Sequence, residues 1–81
     1  MVRISFYGRL AESIGREVEL DAAEACAVGE VRARLAELFP HVSSDLVSPR
    51  VRACVGDRIV SDSFVVVPGD SIDILAPLSG G

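Results

Sequence analysis

Residues 28–40 read VGEVRARLAELFP, the one segment of the chain with a sustained helical pattern. Apolar residues recur there at steps of three and four, the spacing that gathers side chains on one side of an amphipathic helix. Pro40 has no backbone N–H to donate, so we expect the helix to span residues 28–39. The predicted apolar stripe consists of Val28, Val31, Leu35 and Leu38.

Strand patterns surround this helix. Residues 2–7 alternate between two faces, and residues 16–20 return as the second arm of a hairpin. A second hairpin turns at Gly56-Asp57, and a last strand follows the Pro68-Gly69-Asp70 turn and must reach across the sheet to pair. The predicted strands are residues 2–7, 16–20, 51–55, 58–60 and 71–75, with a short helical turn at residues 9–14. This order predicts an α+β fold in which one main helix packs across a mixed sheet.

Composition narrows the class of protein. A chain of 81 residues forms one small domain with little room for a catalytic cavity, so a carrier or binding module fits better than a self-sufficient enzyme. The net charge is −4 and the eight basic residues are all scattered arginines, a pattern that speaks against nucleic acid as a partner. No segment approaches the ~20 apolar residues of a membrane span, and the first residues lack a secretory signal. We therefore expect no membrane partner and a cytoplasmic location.

The chain ends in Gly80-Gly81, directly after the last predicted strand. Because glycine has no Cβ, such an end can lie extended in a narrow channel and bring its last carbonyl close to another protein. On this interpretation the carboxylate of Gly81 is the reactive group. The alternative is a frayed end without function.

Other residues with chemical potential form weak patterns. His41 has no Cys or second His at metal-ligand spacing, and no serine lies in a nucleophile motif. Cys26 and Cys54 are isolated thiols, typical of small apolar side chains in a reducing compartment. We expect no metal or cofactor to be bound by this chain.

Four stretches resemble the small, sulfur-carrier subunit of molybdopterin synthase, and together they extend over nearly the whole chain. They are residues 2–15 with Phe6-Tyr7-Gly8-Arg9-Leu10-Ala11-Glu12, Val55-Gly56-Asp57-Arg58-Ile59-Val60, Pro68-Gly69-Asp70-Ser71-Ile72 and Ala76-Pro77-Leu78-Ser79-Gly80-Gly81. The sequence departs from that family at Gly56, where Asn is frequent, and at Leu75, where an aromatic residue is common. The resemblance implies a ubiquitin-like β-grasp domain over residues 1–75 and a flexible Gly-Gly tail over residues 76–81.

The resemblance also implies a chemistry for Gly80-Gly81. An activating enzyme adenylates the carboxylate of Gly81 with ATP, and a sulfur donor converts it to a thiocarboxylate. The sulfur then passes to cyclic pyranopterin monophosphate to form molybdopterin, in a two-plus-two heterotetramer whose large subunit supplies the catalytic side chains. ATP is expected to bind the activating enzyme.

A partner surface follows from strand alternation. Tyr7, Ile59 and Leu75 are expected to point away from the helix and to form one exposed apolar patch. The resemblance implies that this patch, with Pro77 and Leu78 of the tail, contacts the large subunit. The alternative is scattered surface apolar residues without consequence.

Two other functions stay open on the sequence alone. A sulfur carrier for thiamine thiazole synthesis shares the fold and the Gly-Gly end, but such chains tend to lack the segment at residues 40–50. A ubiquitin-like modifier would end in an isopeptide bond with a lysine of a target, and the absence of lysine here argues only against chain building on itself. The identity of the companion protein separates the three.

Overall fold

The computed structural model describes residues 1–22 and 24–76. Within them, seven strands and three α-helices follow one another in an order that matches the predicted pattern and adds three short elements. The elements are β1 (Val2–Phe6), α1 (Arg9–Ile14), β2 (Glu17–Leu20), β3 (Cys26–Ala27), α2 (Val28–Leu38), α3 (Ser43–Leu46), β4 (Arg52–Val55), β5 (Arg58–Val60), β6 (Val65–Val66) and β7 (Ser71–Leu75), with a 3-10 turn at Pro40–Val42.

Five of these strands form one mixed sheet in the order β2-β1-β7-β4-β5. The last strand in sequence, β7, lies in the middle of the sheet, parallel to β1 and antiparallel to β4. Its register aligns Ile72 with Ile4 of β1 and Ile74 with Phe6. The alignment explains why β7 is apolar at alternate positions, since a central strand with one covered face needs that period. The predicted reach across the sheet is confirmed.

The core lies between this sheet and α2. One side of α2 buries Val28, Val31 and Leu35 against the buried sheet residues, among them Ile72 and Ile74. The α+β fold with its main helix across a mixed sheet is thus confirmed. One member of the predicted stripe was wrong: Leu38 is 57% exposed, because it occupies the last residue of α2, where the helix extends beyond the core.

The first turn of α2 is held by backbone rather than by a capping side chain. The N–H of Val28 donates to the carbonyl of Phe64 at 2.8 Å, and the N–H of Gly29 donates to the carbonyl of Asp62 at 2.9 Å. These bonds continue the small sheet of β3 and β6, an element that the sequence pattern did not reveal. A Cβ on Gly29 would lie 3.1 Å from Cβ of Asp62, so the close approach favours glycine there.

Arg32, on the same helix, is 6% exposed and ties two loops to it. Its Nε donates to the carbonyl of Leu46 at 2.8 Å, and a terminal nitrogen donates to the carbonyl of Ser48. The other terminal nitrogen lies 3.0 Å from Oδ1 of Asp62. The guanidinium therefore fixes the segment at residues 40–50, which folds as the 3-10 turn and α3 rather than as an open loop.

The division into a domain over residues 1–75 and a tail over residues 76–81 stays a prediction. Ala76, the last residue described, is half-buried against the core, and residues 77–81 lie outside the described residues. None of the helices within residues 1–22 and 24–76 has the length and apolar character needed to cross a membrane.

Candidate functional site

The face of the five-stranded sheet that turns away from α2 is called the outer face. Its central row runs across all five strands: Glu17 of β2, Ser5 of β1, Asp73 of β7, Cys54 of β4 and Ile59 of β5 are aligned in turn. Ile59 is 64% exposed, whereas Asp73 and Cys54 are half-buried. The row thus contains two carboxylates, one large apolar residue and two small side chains.

Tyr7 and Leu75 lie at one end of the outer face. Phe6 aligns with Ile74, so carrying the parallel register one residue further places Tyr7 beside Leu75. Tyr7 is 50% exposed and Leu75 is 37% exposed. Adjacent strands are about 4.8 Å apart, which brings these two side chains within contact range.

The strand register keeps Ile59 out of direct contact with Tyr7 and Leu75. It lies on β5, two strands from β7, and Cys54 and Arg52 of β4 occupy the intervening positions of the outer face. Two strand spacings separate β5 from β7 by about 10 Å. The structure therefore brings Tyr7 and Leu75 together and leaves Ile59 at the far side of the same face.

Tyr7 makes one polar contact, to the centre of the face. Its hydroxyl donates to Oδ1 of Asp73 at 3.4 Å. The negative charge of Asp73, together with partial burial and this hydrogen bond, raises the pKa of Tyr7 above its ordinary value. The phenol therefore keeps its proton to a higher pH than an isolated tyrosine, and its hydroxyl points towards the central row.

The other carboxylates of the outer face lie at its edge. Arg3 of β1 forms ion pairs with Glu17 at 3.5 Å and with Glu19 at 3.9 Å, both on β2. All three side chains are about half exposed, so these pairs contribute little to the free energy of folding. The single charge of Arg3 offsets one of the two glutamate charges of the edge strand.

An open groove of about 640 Å³ adjoins Tyr7 between β1, α1 and β2. Its lining comprises Ser5, Phe6, Tyr7, Gly8, Ala11, Glu12, Arg16 and Glu17. Gly8 precedes α1 and has a φ of +64°, a left-handed backbone value that residues other than glycine rarely adopt. The groove is a shallow extension of the outer face and contains no group that the sequence marked as catalytic.

The remaining sequence candidates are dispersed over the molecule. His41 is exposed, with Nε2 at 3.3 Å from the carbonyl oxygen of Ser13, and Cys26 and Cys54 are half-buried free thiols. Within the part of the chain that the structure describes, no three His, Cys, Asp or Glu side chains are grouped as metal ligands would be. Gly80, Gly81, Pro77 and Leu78 lie outside the described residues.

Sequence reasoning missed Asp73. In the pattern Ile72-Asp73-Ile74-Leu75 it counts only as the polar partner of two buried isoleucines. Its place between predicted exposed apolar residues on the same face was the available signal. Only the register of β7 against β1 and β4 shows that it occupies the centre of the outer face.

Comparison with known proteins agrees with this architecture. The profile of the ThiS family matches residues 4–81. Small archaeal modifier protein 1 of Haloferax volcanii superposes with a TM-score of 0.85 at 21% identity, covering 99% of this chain and 98% of that one. A protein of Pyrococcus furiosus assigned as molybdopterin converting factor, subunit 1, superposes with a TM-score of 0.74 at 17% identity, covering 95% of this chain and 97% of that one. At such identities the structural matches establish the fold. No curated protein matches the sequence.

Proposed function

Because this chain belongs to the ThiS family of small sulfur carriers with a ubiquitin-like fold, we propose that it is the sulfur-carrier subunit of molybdopterin synthase. Gly81, with Gly80 before it, carries the reacting carboxylate. The four stretches of sequence resemblance support this assignment, as does the similarity in fold to the converting-factor subunit of Pyrococcus furiosus.

One observation carries the proposal: the exposed pair Tyr7 and Leu75 flanks the point at which the chain leaves the sheet. Leu75 ends β7, and Ala76 follows it towards residues 77–81. A partner that covers the pair is therefore placed to receive the tail. Five residues span at most about 18 Å when fully extended, enough to enter an active site beside the docking face.

The chemistry requires activation of the carboxylate before sulfur can enter. A carboxylate is a poor electrophile, so its oxygen attacks the α-phosphate of ATP and pyrophosphate leaves. The outer sulfur of a donor persulfide then attacks the acyl adenylate and AMP leaves. A second thiol reduces the resulting acyl disulfide, which releases the thiocarboxylate and leaves the donor as a disulfide. The thiocarboxylate sulfur is the nucleophile delivered to cyclic pyranopterin monophosphate. In this scheme the activating enzyme binds ATP and the large subunit supplies the catalytic groups.

The direct test is intact mass after incubation with the activating enzyme, ATP and a sulfur source. We expect an increase equal to the difference between one sulfur and one oxygen atom, located in the peptide that ends at Gly81. A mass change located at Cys26 or Cys54 would contradict the assignment of Gly81.

A matched control adds one residue after Gly81. The former terminal carboxylate then becomes an amide, which cannot be adenylated, so molybdopterin formation with the large subunit should fall to background. Thermal unfolding should match that of the parent. Full activity of a form whose mass proves that the extra residue is retained would argue for a glycine end without function.

A carrier for thiamine thiazole synthesis and a protein modifier are the alternatives, favoured respectively by the family match and by the likeness to the modifier of Haloferax volcanii. The folded segment at residues 40–50, fixed by Arg32, favours the molybdopterin assignment, because thiamine carriers tend to lack it. Capture with the tagged chain discriminates: a large synthase subunit, a thiazole synthase or many target proteins would each identify one function.

A further inference from the structure

Asp73 differs from Glu17 and Glu19 of the outer face because, among the described residues, no basic side chain forms an ion pair with it. In the described ranges 1–22 and 24–76 the ion pairs join Arg3 to Glu17 and Glu19, and Arg32 to Asp62; none includes Asp73. Its aligned neighbours on either side, Ser5 and Cys54, are neutral. The hydroxyl of Tyr7 at 3.4 Å is the one side-chain donor that contacts it in the same part of the chain.

Covering such a carboxylate is costly unless the partner compensates it. A half-buried aspartate loses its remaining water when an apolar surface docks on Tyr7 and Leu75, and a single neutral donor at 3.4 Å does not replace that hydration. A cation supplied by the partner converts the same group into a charge-assisted hydrogen bond. The central position of Asp73 places that contact inside the apolar contacts rather than at their rim.

We infer that the outer face docks a protein surface that sets one arginine or lysine side chain against Asp73, surrounded by apolar contacts to Tyr7, Leu75 and Ile59. The inference rests on the proposed function, which makes that partner the large subunit of the synthase. A second copy of this chain does not fit, because a two-fold contact centred on Asp73 would oppose two carboxylates.

Two arginines of the outer face restrict where a partner cation can approach Asp73. Arg52 aligns with Leu75 and Arg3 aligns with Ser71, so both arginines lie diagonally from Asp73 on adjacent strands. A partner cation therefore approaches between two like charges, and its position is narrowly defined. We expect this arrangement to select partners by the place of their basic residue as well as by its presence.

The sign of the effect of Asp73→Asn tests the inference. With a cation opposite, the substitution removes the ion pair and leaves the cation buried, so affinity for the purified large subunit should fall about 30-fold or more, and the dependence of affinity on salt should become weaker. With no cation opposite, the substitution removes only a desolvation penalty and affinity should rise. Unchanged or tighter binding would overturn the inference.

Two further variants separate the charge from other effects. Glu19→Gln removes a carboxylate that lies at the edge strand and pairs with Arg3, and should bind like the parent. Tyr7→Phe removes the hydroxyl but keeps the charge of Asp73, and should weaken binding less than Asp73→Asn while retaining the salt dependence of the parent. If Tyr7→Phe reproduces the full loss, Asp73 acts by orienting Tyr7 and the inference is wrong.

Failure of the proposed function gives a different result from failure of the inference. A parent chain that does not bind the large subunit contradicts the function itself. A parent chain that binds, with an Asp73→Asn variant that binds equally well and unfolds at the same temperature, contradicts only the cation opposite Asp73.

Discussion

Two regions of the molecule contain residues whose polarity differs from that of their neighbours. One is the buried layer between the sheet and α2, and the other is the outer face of the sheet. The buried layer is apolar except for Arg32, and the large apolar residues of the mainly polar outer face are Tyr7, Ile59 and Leu75. Arg32 finds its partners within the molecule, in two carbonyls and Asp62. The exposed apolar residues of the outer face are not covered by other described residues. A polar residue in the core is thus explained by contacts within the molecule, whereas apolar residues on the outer face indicate a binding partner.

Two adjacent residues of β7, Ile74 and Leu75, belong to the buried layer and to the outer face respectively. Ile74 is fully buried and aligns with both Phe6 and Ala53, whereas Leu75 faces outward. We expect Ile74→Ala to lower the free energy of unfolding by about 2–5 kcal/mol through lost burial and a cavity. Leu75→Ala should change it by about 0.5 kcal/mol or less. Urea unfolding of both variants measures the difference, and equal losses would show that the outer face also serves stability.

For binding to the large subunit, we expect substitutions on the outer face to have the larger effect. Leu75→Asp removes an apolar contact and places a second carboxylate near Asp73 in the docking contact, although Arg52 is aligned with this position. We therefore expect a loss of at least about 2 kcal/mol of binding to the large subunit while the fold is retained. Leu38→Asp is the matched control, since Leu38 is an exposed leucine on α2, in the other layer. Titration calorimetry with both variants checks this expectation. An equal effect of the two substitutions would remove the distinction between the faces.

A smaller effect is expected for Arg32, the polar residue of the buried layer. Arg32→Met keeps much of the apolar volume but leaves the carbonyls of Leu46 and Ser48 without their donors. Unsatisfied buried acceptors cost about 1–3 kcal/mol, so the free energy of unfolding should fall by about that amount. The exposed Arg34 of the same helix gives the control, and Arg34→Met should be nearly neutral. A neutral Arg32→Met would mean that water replaces the guanidinium.

The sequence predicted the large elements because their patterns are local. Alternation in β1 and β7 and the stripe on α2 follow from burial of one face, and each can be recognised within a few residues. The same alternation placed Tyr7, Ile59 and Leu75 outside the core. Leu38 was misassigned because its periodicity continues beyond the point at which the core ends.

What the sequence could not provide depends on contacts between distant segments. The pair β3 and β6 joins residues about 40 positions apart through two aligned pairs, which leave almost no periodicity to detect. Arg32 carries no sequence mark of burial, because its partners at Leu46, Ser48 and Asp62 are brought to it by tertiary folding. The central position of Asp73 likewise appears only when the order of the strands is known.

The smallest expected effect concerns the coupling of Tyr7 to Asp73, the link between the apolar end of the outer face and its charged centre. The charge of Asp73 raises the pKa of Tyr7, so Asp73→Asn should lower the midpoint of the phenol towards its ordinary value of about 10. Tyr7 is the single tyrosine and the chain has no tryptophan, so tyrosinate absorbance of the isolated chain reports this residue alone. The folded protein retains a proton that the unfolded chain loses above about pH 10, and the stability that this provides is therefore lost as the pH rises from about 10 through the raised pKa. The parent should lose more stability over that interval than Asp73→Asn, and added salt should reduce the difference because the pair is exposed. Identical midpoints in both proteins would show that the phenol and the carboxylate are independent, and that the apolar end of the outer face is not coupled to its charged centre.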